Sequence, residues 1–86
     1  MNIATNTKGG MNARWIAMRC KEPVFWAFLN ETFGAAVQSE YGAIEVVKTY
    51  GGVESRSEFD TDPDAIQRFH VVLRRPYADY MQRETA

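Results

Sequence analysis

The chain has 86 residues, 24% of them charged and 45% hydrophobic, with a formal net charge of −1. Those values describe one globular domain with a modest core and exclude a chain disordered along its whole length. They also exclude a generally basic polyanion-binding protein, so any surface for nucleic acid has to come from local clustering.

Residues 1–11, MNIATNTKGGM, are polar and carry the Gly9-Gly10 pair; they read as a flexible leader. A first helix is predicted from Asn12 to about Lys21, with Trp15, Met18 and Cys20 as its apolar positions. Pro23 suits a first helical position, where its missing N–H has no partner in any case, and Glu22 before it suits the positive end of the helix. The second helix is predicted over Pro23–Phe33, with Phe25, Phe28, Leu29 and Phe33 along one face and Gly34 as its stop.

Ser39 is a plausible N-cap for a third helix reaching about Tyr50, in which Tyr41, Ile44 and Val47 share a stripe and Gly51-Gly52 ends the run. The β-branched pair Val46-Val47 leaves open a small hairpin near residues 46–53, and with it an α+β alternative. Ser55 and Glu58 have the spacing of a capping box, predicting a short turn that ends near Asp60. Asp62, Pro63 and Asp64 give N-cap, N1 and N2 chemistry in order. The helix they open carries Ile66, Phe69, His70, Leu73, Tyr77 and Tyr80, the strongest periodic signal in the chain. Pro76 predicts a kink or break around Arg75, followed by a resumed turn.

The expected fold is therefore all-α: a compact bundle of four to five short helices over residues 12–82, after the leader 1–11 and before a frayed tail at 83–86. The expected core is Trp15, Met18, Phe25, Phe28, Leu29, Ile44, Val47, Phe59, Ile66, Phe69, Leu73 and Tyr77.

Catalytic signatures are thin. Asp60, Asp62 and Asp64 alternate like the start of a calcium loop, but the sixth-position glycine and the twelfth-position acid are missing; helix capping explains them better. Cys20 and His70 are the only thiol and the only imidazole. They carry no motif for nucleophilic catalysis, and they cannot supply four ligands to zinc. Gly51-Gly52 lacks the lysine and hydroxyl of a phosphate loop. The expectation is no catalytic residue, no metal and no cofactor.

Binding is the better lead. Arg14, Arg19 and Lys21 flank the first helix, and Arg68, Arg74 and Arg75 decorate the last; Arg68 and Arg75 stand seven positions apart, on one face of a continuous helix. If the two helices pack side by side, these six form a nucleic-acid-binding patch. Trp26, Tyr77 and Tyr80 are candidates for stacking on bases or for a protein interface. Trp26 lies about 100° around its helix from Phe25, at or beyond the edge of the apolar stripe. Clustering of the arginines would favour nucleic acid, whereas clustering of Glu40, Glu45, Glu54, Glu58 and Asp60 would favour a basic protein surface.

Two stretches also carry a resemblance. Trp15 to Pro23, continuing through Phe25-Trp26-Ala27-Phe28-Leu29, and Gly52 to Pro63, continuing to Phe69-His70 and Arg74-Arg75-Pro76-Tyr77, together resemble a group of small, uncharacterised proteins of tailed phages and prophages. In that group an "RC-K-D-P-x-F-x-x-F-L" stretch precedes "C-G-(I/V)-x-S-R-x-E-L-D-T-x-P-x-A". The likeness covers roughly residues 13–80, with Glu22 in place of the usual aspartate and Gly51 in place of a frequent cysteine. The genes of the group tend to lie among recombination and replication genes. The resemblance implies a non-enzymatic accessory protein that binds nucleic acid or a recombination or replication nucleoprotein. A small inhibitor of a host defence or nuclease system, of the anti-CRISPR kind, is the alternative. With no apolar leader and no membrane span in the sequence, the expected setting is the cytoplasm of a bacterial host, with no membrane partner.

Overall fold

A computed structural model describes residues 10–85, all of whose regular structure is helical. The leader expected at residues 1–11 therefore falls mostly outside the described residues. Its last two positions do not: Gly10 is the N-cap of α1 (Met11–Arg19), and Met11 is already helical. The helices that follow are α2 (Pro23–Phe33), α3 (Glu40–Gly51), the single turn α4 (Glu58–Thr61), α5 (Pro63–Arg68) and α6 (Arg75–Thr85). Between α5 and α6 the chain does not break, because a π-helical segment, Phe69–Arg74, joins them into one rod. The architecture is thus five helical rods, and no strand forms among the described residues, so the hairpin alternative at 46–53 is set aside.

The boundaries follow the local chemistry. Pro23 opens α2, and Gly34, at φ 68°, closes it in the left-handed region. The Ser39 side chain accepts the Gly42 N–H at 3.1 Å to cap α3, and Gly52, at φ 72°, ends it. The Asp62 carboxylate accepts the Asp64 N–H at 3.0 Å to cap α5. The capping box forms by halves. Glu58 reaches back to accept the N–H groups of Ser55 and Glu54 at 3.0 and 3.1 Å, while the Ser55 hydroxyl turns to Ser57. Asn30 clamps the loop after α2 at two points, accepting the Val37 N–H at 2.7 Å and donating to the Val37 carbonyl at 3.3 Å.

The core is aromatic. Trp15 meets Phe25, Phe69 and Tyr77 edge-to-face, at centroid distances of 6.0, 5.5 and 5.9 Å. Phe28 packs against Tyr77 and Tyr80 at 5.2 and 5.5 Å; such edge-to-face pairs add to the area they bury. One expected core residue, Met18, and one position of the expected α3 stripe, Tyr41, are corrected. Met18 is 59% exposed, because α1 buries Ala13 and Ile16, with Cys20 buried just after it, and Met18 lies about 200° around the helix from Ile16. Tyr41 is 72% exposed, since α3 turns Ala43 and Val47 inward instead. Trp15 and Ile44 pack against the core while half-buried, and Ile66 is half-buried at its margin.

The interruption expected around Arg75 takes the form of the π segment, after which the α-helix resumes at Arg75. An α-helix turns about 100° per residue, so positions spaced by four drift about 40° at each step. The buried row Ala65, Phe69, Leu73, Tyr77 is spaced by four throughout, and in a pure α-helix it would wander by about 120°. The π segment closes the Arg75 N–H onto the His70 carbonyl, five residues back. That fits one extra residue into the turn and cancels most of the drift. Pro76 follows directly on this wider turn, which eases the crowding its ring would meet in a regular helix interior. The helix continues to Thr85, so Arg83 and Glu84, expected in a frayed tail, are helical.

Candidate nucleic-acid interface

At about four residues per turn, the rod from Ala65 to Pro76 presents four rows. The row 65, 69, 73, 77 is buried, and the row 68, 72, 76 is half-buried. His70 is half-buried and Arg74 exposed on the third row; Gln67, Val71 and Arg75 are all exposed on the fourth, opposite the core. Gln67, His70, Val71, Arg74 and Arg75 line an open concavity of about 420 Å³. Among the described residues, neither Arg74 nor Arg75 forms an ion pair or hydrogen bond through its side chain, the two side-chain ion pairs being Arg19–Glu22 and Lys48–Glu45. Two guanidinium groups thus stand free beside an amide, an imidazole and one apolar side chain.

Two of the six predicted cations, Arg68 and Arg19, are engaged in structure. Arg68 reaches back to α3, donating from Nε to the Gly51 carbonyl at 2.7 Å and from Nη2 to the Gly52 carbonyl at 3.3 Å. It places its charge at the negative end of α3, where a cation is favoured. Arg19 pairs with Glu22 at 3.1 Å and lies 5.4 Å from the centre of the Trp15 ring. Arg14 and Lys21 are exposed on or just after α1. α1 does touch the last rod through Trp15, but with Arg19 and Arg68 engaged in structure the free cations of the rod are Arg74 and Arg75.

The three aromatic candidates are also spoken for. Tyr77 and Tyr80 are 6% and 5% exposed, so as stacking or interface residues they are corrected to core. Burial raises both hydroxyl pKa values, helped at Tyr77 by Glu22 and at Tyr80 by Glu84. Trp26 is half-buried against the core, and its indole N–H donates to the Cys20 carbonyl at 2.7 Å. That bond satisfies the polar edge of the ring.

Cys20 is fully enclosed, and burial, only partly offset by Arg56, pushes its thiol up to about 12, so the nucleophilic thiolate is suppressed. Two of the three aspartates are engaged apart: Asp62 caps α5, and Asp60 binds the start of α1. Among the described residues, no three His, Cys, Asp or Glu side chains are grouped to hold a metal ion. No helix of the described residues is long and apolar enough to cross a membrane.

Of the residues lining this concavity, the sequence reading named Arg74 and Arg75 as candidates, did not name Gln67 or Val71, and placed His70 on the core stripe. The signal was the spacing of four from Gln67 through Val71 to Arg75, which a search at the α-helical period does not register.

Comparison with known proteins finds no matching family model, no matching curated protein and no matching solved structure.

Proposed function

We propose that this protein is a non-enzymatic phage or prophage accessory protein that works in the bacterial cytoplasm by binding nucleic acid, alone or within a recombination or replication nucleoprotein. The observation that carries the reading is the free Arg74–Arg75 pair, set with His70 and Gln67 around one concavity and paired with no acid among the described residues. Arginine left unpaired at a surface suits phosphate, which it meets with two parallel hydrogen bonds. The resemblance of the Trp15–Leu29 and Gly52–Tyr77 stretches to phage proteins supplies the biological setting.

The inhibitor alternative needs a free acidic face, and the acids it would use are largely occupied. Asp60 binds three backbone N–H groups, Glu58 binds two, and Glu45 pairs with Lys48 at 3.5 Å. That leaves Glu40 and Glu54 of the set, too few for an electrostatic mimic of nucleic acid.

Fluorescence anisotropy of labelled single-stranded and duplex DNA, titrated with the protein at two salt concentrations, tests the proposal. Binding that weakens steeply with salt is expected, because phosphate contacts release counterions. It should disappear when Arg74 and Arg75 are both replaced by alanine. Undiminished affinity in that double variant would sink the direct-contact reading.

A further inference from the structure

The π segment decides which of the two free arginines points straight away from the core. In a regular α-helix, Gln67 and Val71 would align best with Arg74, seven positions from Gln67. The extra residue in the turn moves that alignment on by one. Burial follows the shifted register, with 65, 69, 73 and 77 facing in and 67, 71 and 75 facing out. Arg74 falls on the flanking row with His70.

We infer that the outward row Gln67–Val71–Arg75 reads base edges in the major groove of duplex DNA, while Arg74 holds a phosphate on one flank. This rests on the nucleic-acid reading proposed above and assigns its partner and the roles of its residues. The composition of the row argues for it. Glutamine meets the donor–acceptor pair of adenine, arginine the two acceptors of guanine, and an apolar side chain the methyl group of thymine. A row made only for phosphates would not place a 47%-exposed valine at its centre. Shape agrees as well, since the major groove admits an α-helix and the row lies on the longest rod of the molecule. From Gln67 to Arg75 is eight residues, or about 12 Å at 1.5 Å per residue. At about 3.4 Å per base step that covers three to four base pairs. Two exposed acids, Asp64 and Asp79, stand about one turn beyond either end of the row and limit the footprint to that length.

The test begins with selection of the full chain against a random duplex pool. Anisotropy then compares the selected duplex, a scrambled duplex and the selected single strand for the wild type, Arg74→Ala and Arg75→Ala. Both substitutions are at exposed positions, and circular dichroism checks that each variant folds. The expected result is a preference for the selected duplex on the order of tenfold. Arg75→Ala should erase that preference. Arg74→Ala should weaken both duplexes alike and lower the salt slope by about one, as loss of a phosphate contact does. Duplex binding without sequence preference, preference for the single strand, or loss of discrimination in Arg74→Ala instead of Arg75→Ala would each overturn the inference while leaving the proposed function standing. Absence of binding to every probe would overturn both.

Discussion

The carboxylate of Asp60 accepts the backbone N–H of Ala13 at 2.9 Å, across 47 positions of sequence. It also accepts those of Gly10 and Asn12, at 3.0 and 2.9 Å, and Asn12 returns a hydrogen bond to the Phe59 carbonyl at 2.7 Å. The N-cap Gly10 has no side chain to cap α1, and an acid from α4 does so instead, placing negative charge at the positive end of the helix. Gly10 is needed for this approach, because a Cβ there would come within 2.9 Å of the Asp60 carboxyl carbon.

Asp60→Ala should accordingly destabilise the fold by about 2 kcal/mol, since it leaves several N–H groups of one helix end without partners. For a domain of this size that lowers Tm by roughly 8–16 °C. Thermal denaturation followed by circular dichroism measures it, and an unchanged Tm would show that water replaces the cap without cost.

Arg68 and Arg74 should separate stability from binding. Arg68→Ala removes the hydrogen bonds to the Gly51 and Gly52 carbonyls and should cost about 1–2 kcal/mol in urea denaturation, with DNA affinity little changed. Arg74→Ala should leave stability within about 0.5 kcal/mol, as exposed substitutions do, and weaken DNA binding. The reverse pattern would mean that the cation set of the interface has been misassigned.

Two glycines should fail for different reasons. A Cβ on Gly51 would lie 2.7 Å from Cε1 of the buried Phe59 ring, with another ring atom closer still. Gly51→Ala must therefore displace a core aromatic, at a cost of about 1–3 kcal/mol. Gly34 has open space around it but sits at φ 68°, so Gly34→Ala meets backbone strain alone, about 1 kcal/mol. Denaturant midpoints for the pair would rank them, and a smaller loss for Gly51→Ala would contradict the packing described.

Cys20 gives a pH prediction. Burial raises its pKa from an ordinary 9.0 to about 12, and Tyr77 and Tyr80 are shifted upward too. The folded state thus keeps protons that the unfolded state releases. The stability this contributes is complete below about pH 9 and lost as pH rises toward 12. Urea midpoints should fall across that window, and Cys20→Ser should make the fall shallower. At pH 8 a thiol reagent should label the unfolded protein far faster than the native one; equal rates would place the thiol at the surface.

Asp79 bounds the proposed interface. Asp79→Asn removes a negative charge about one turn from Arg75 and should tighten DNA binding at low salt, with the gain fading as salt screens the site. A loss of affinity would instead make Asp79 part of the contact.

Much of the local structure was legible in the sequence by itself. Pro23, Ser39 and Asp62 start helices and Gly34 and Gly52 end them, because capping depends on a residue and its immediate neighbours. The aromatic faces of α2 and of the last rod declared an all-α core through their spacing. The decisions made by tertiary structure are those in which distant residues meet or a register shifts. The short α1 had competing apolar faces, and its packing against α4 turned Ile16 inward and Met18 out. Arg68 was taken out of the basic patch by carbonyls 16 and 17 positions away, and Tyr77 and Tyr80 out of the interface by Phe28. The π segment is the clearest case. Helical propensity favours the regular α register everywhere but at Pro76, and burying Phe69, Leu73 and Tyr77 on one face offsets the added strain of one wider turn. That choice put Arg75, and not Arg74, in line with Gln67 and Val71.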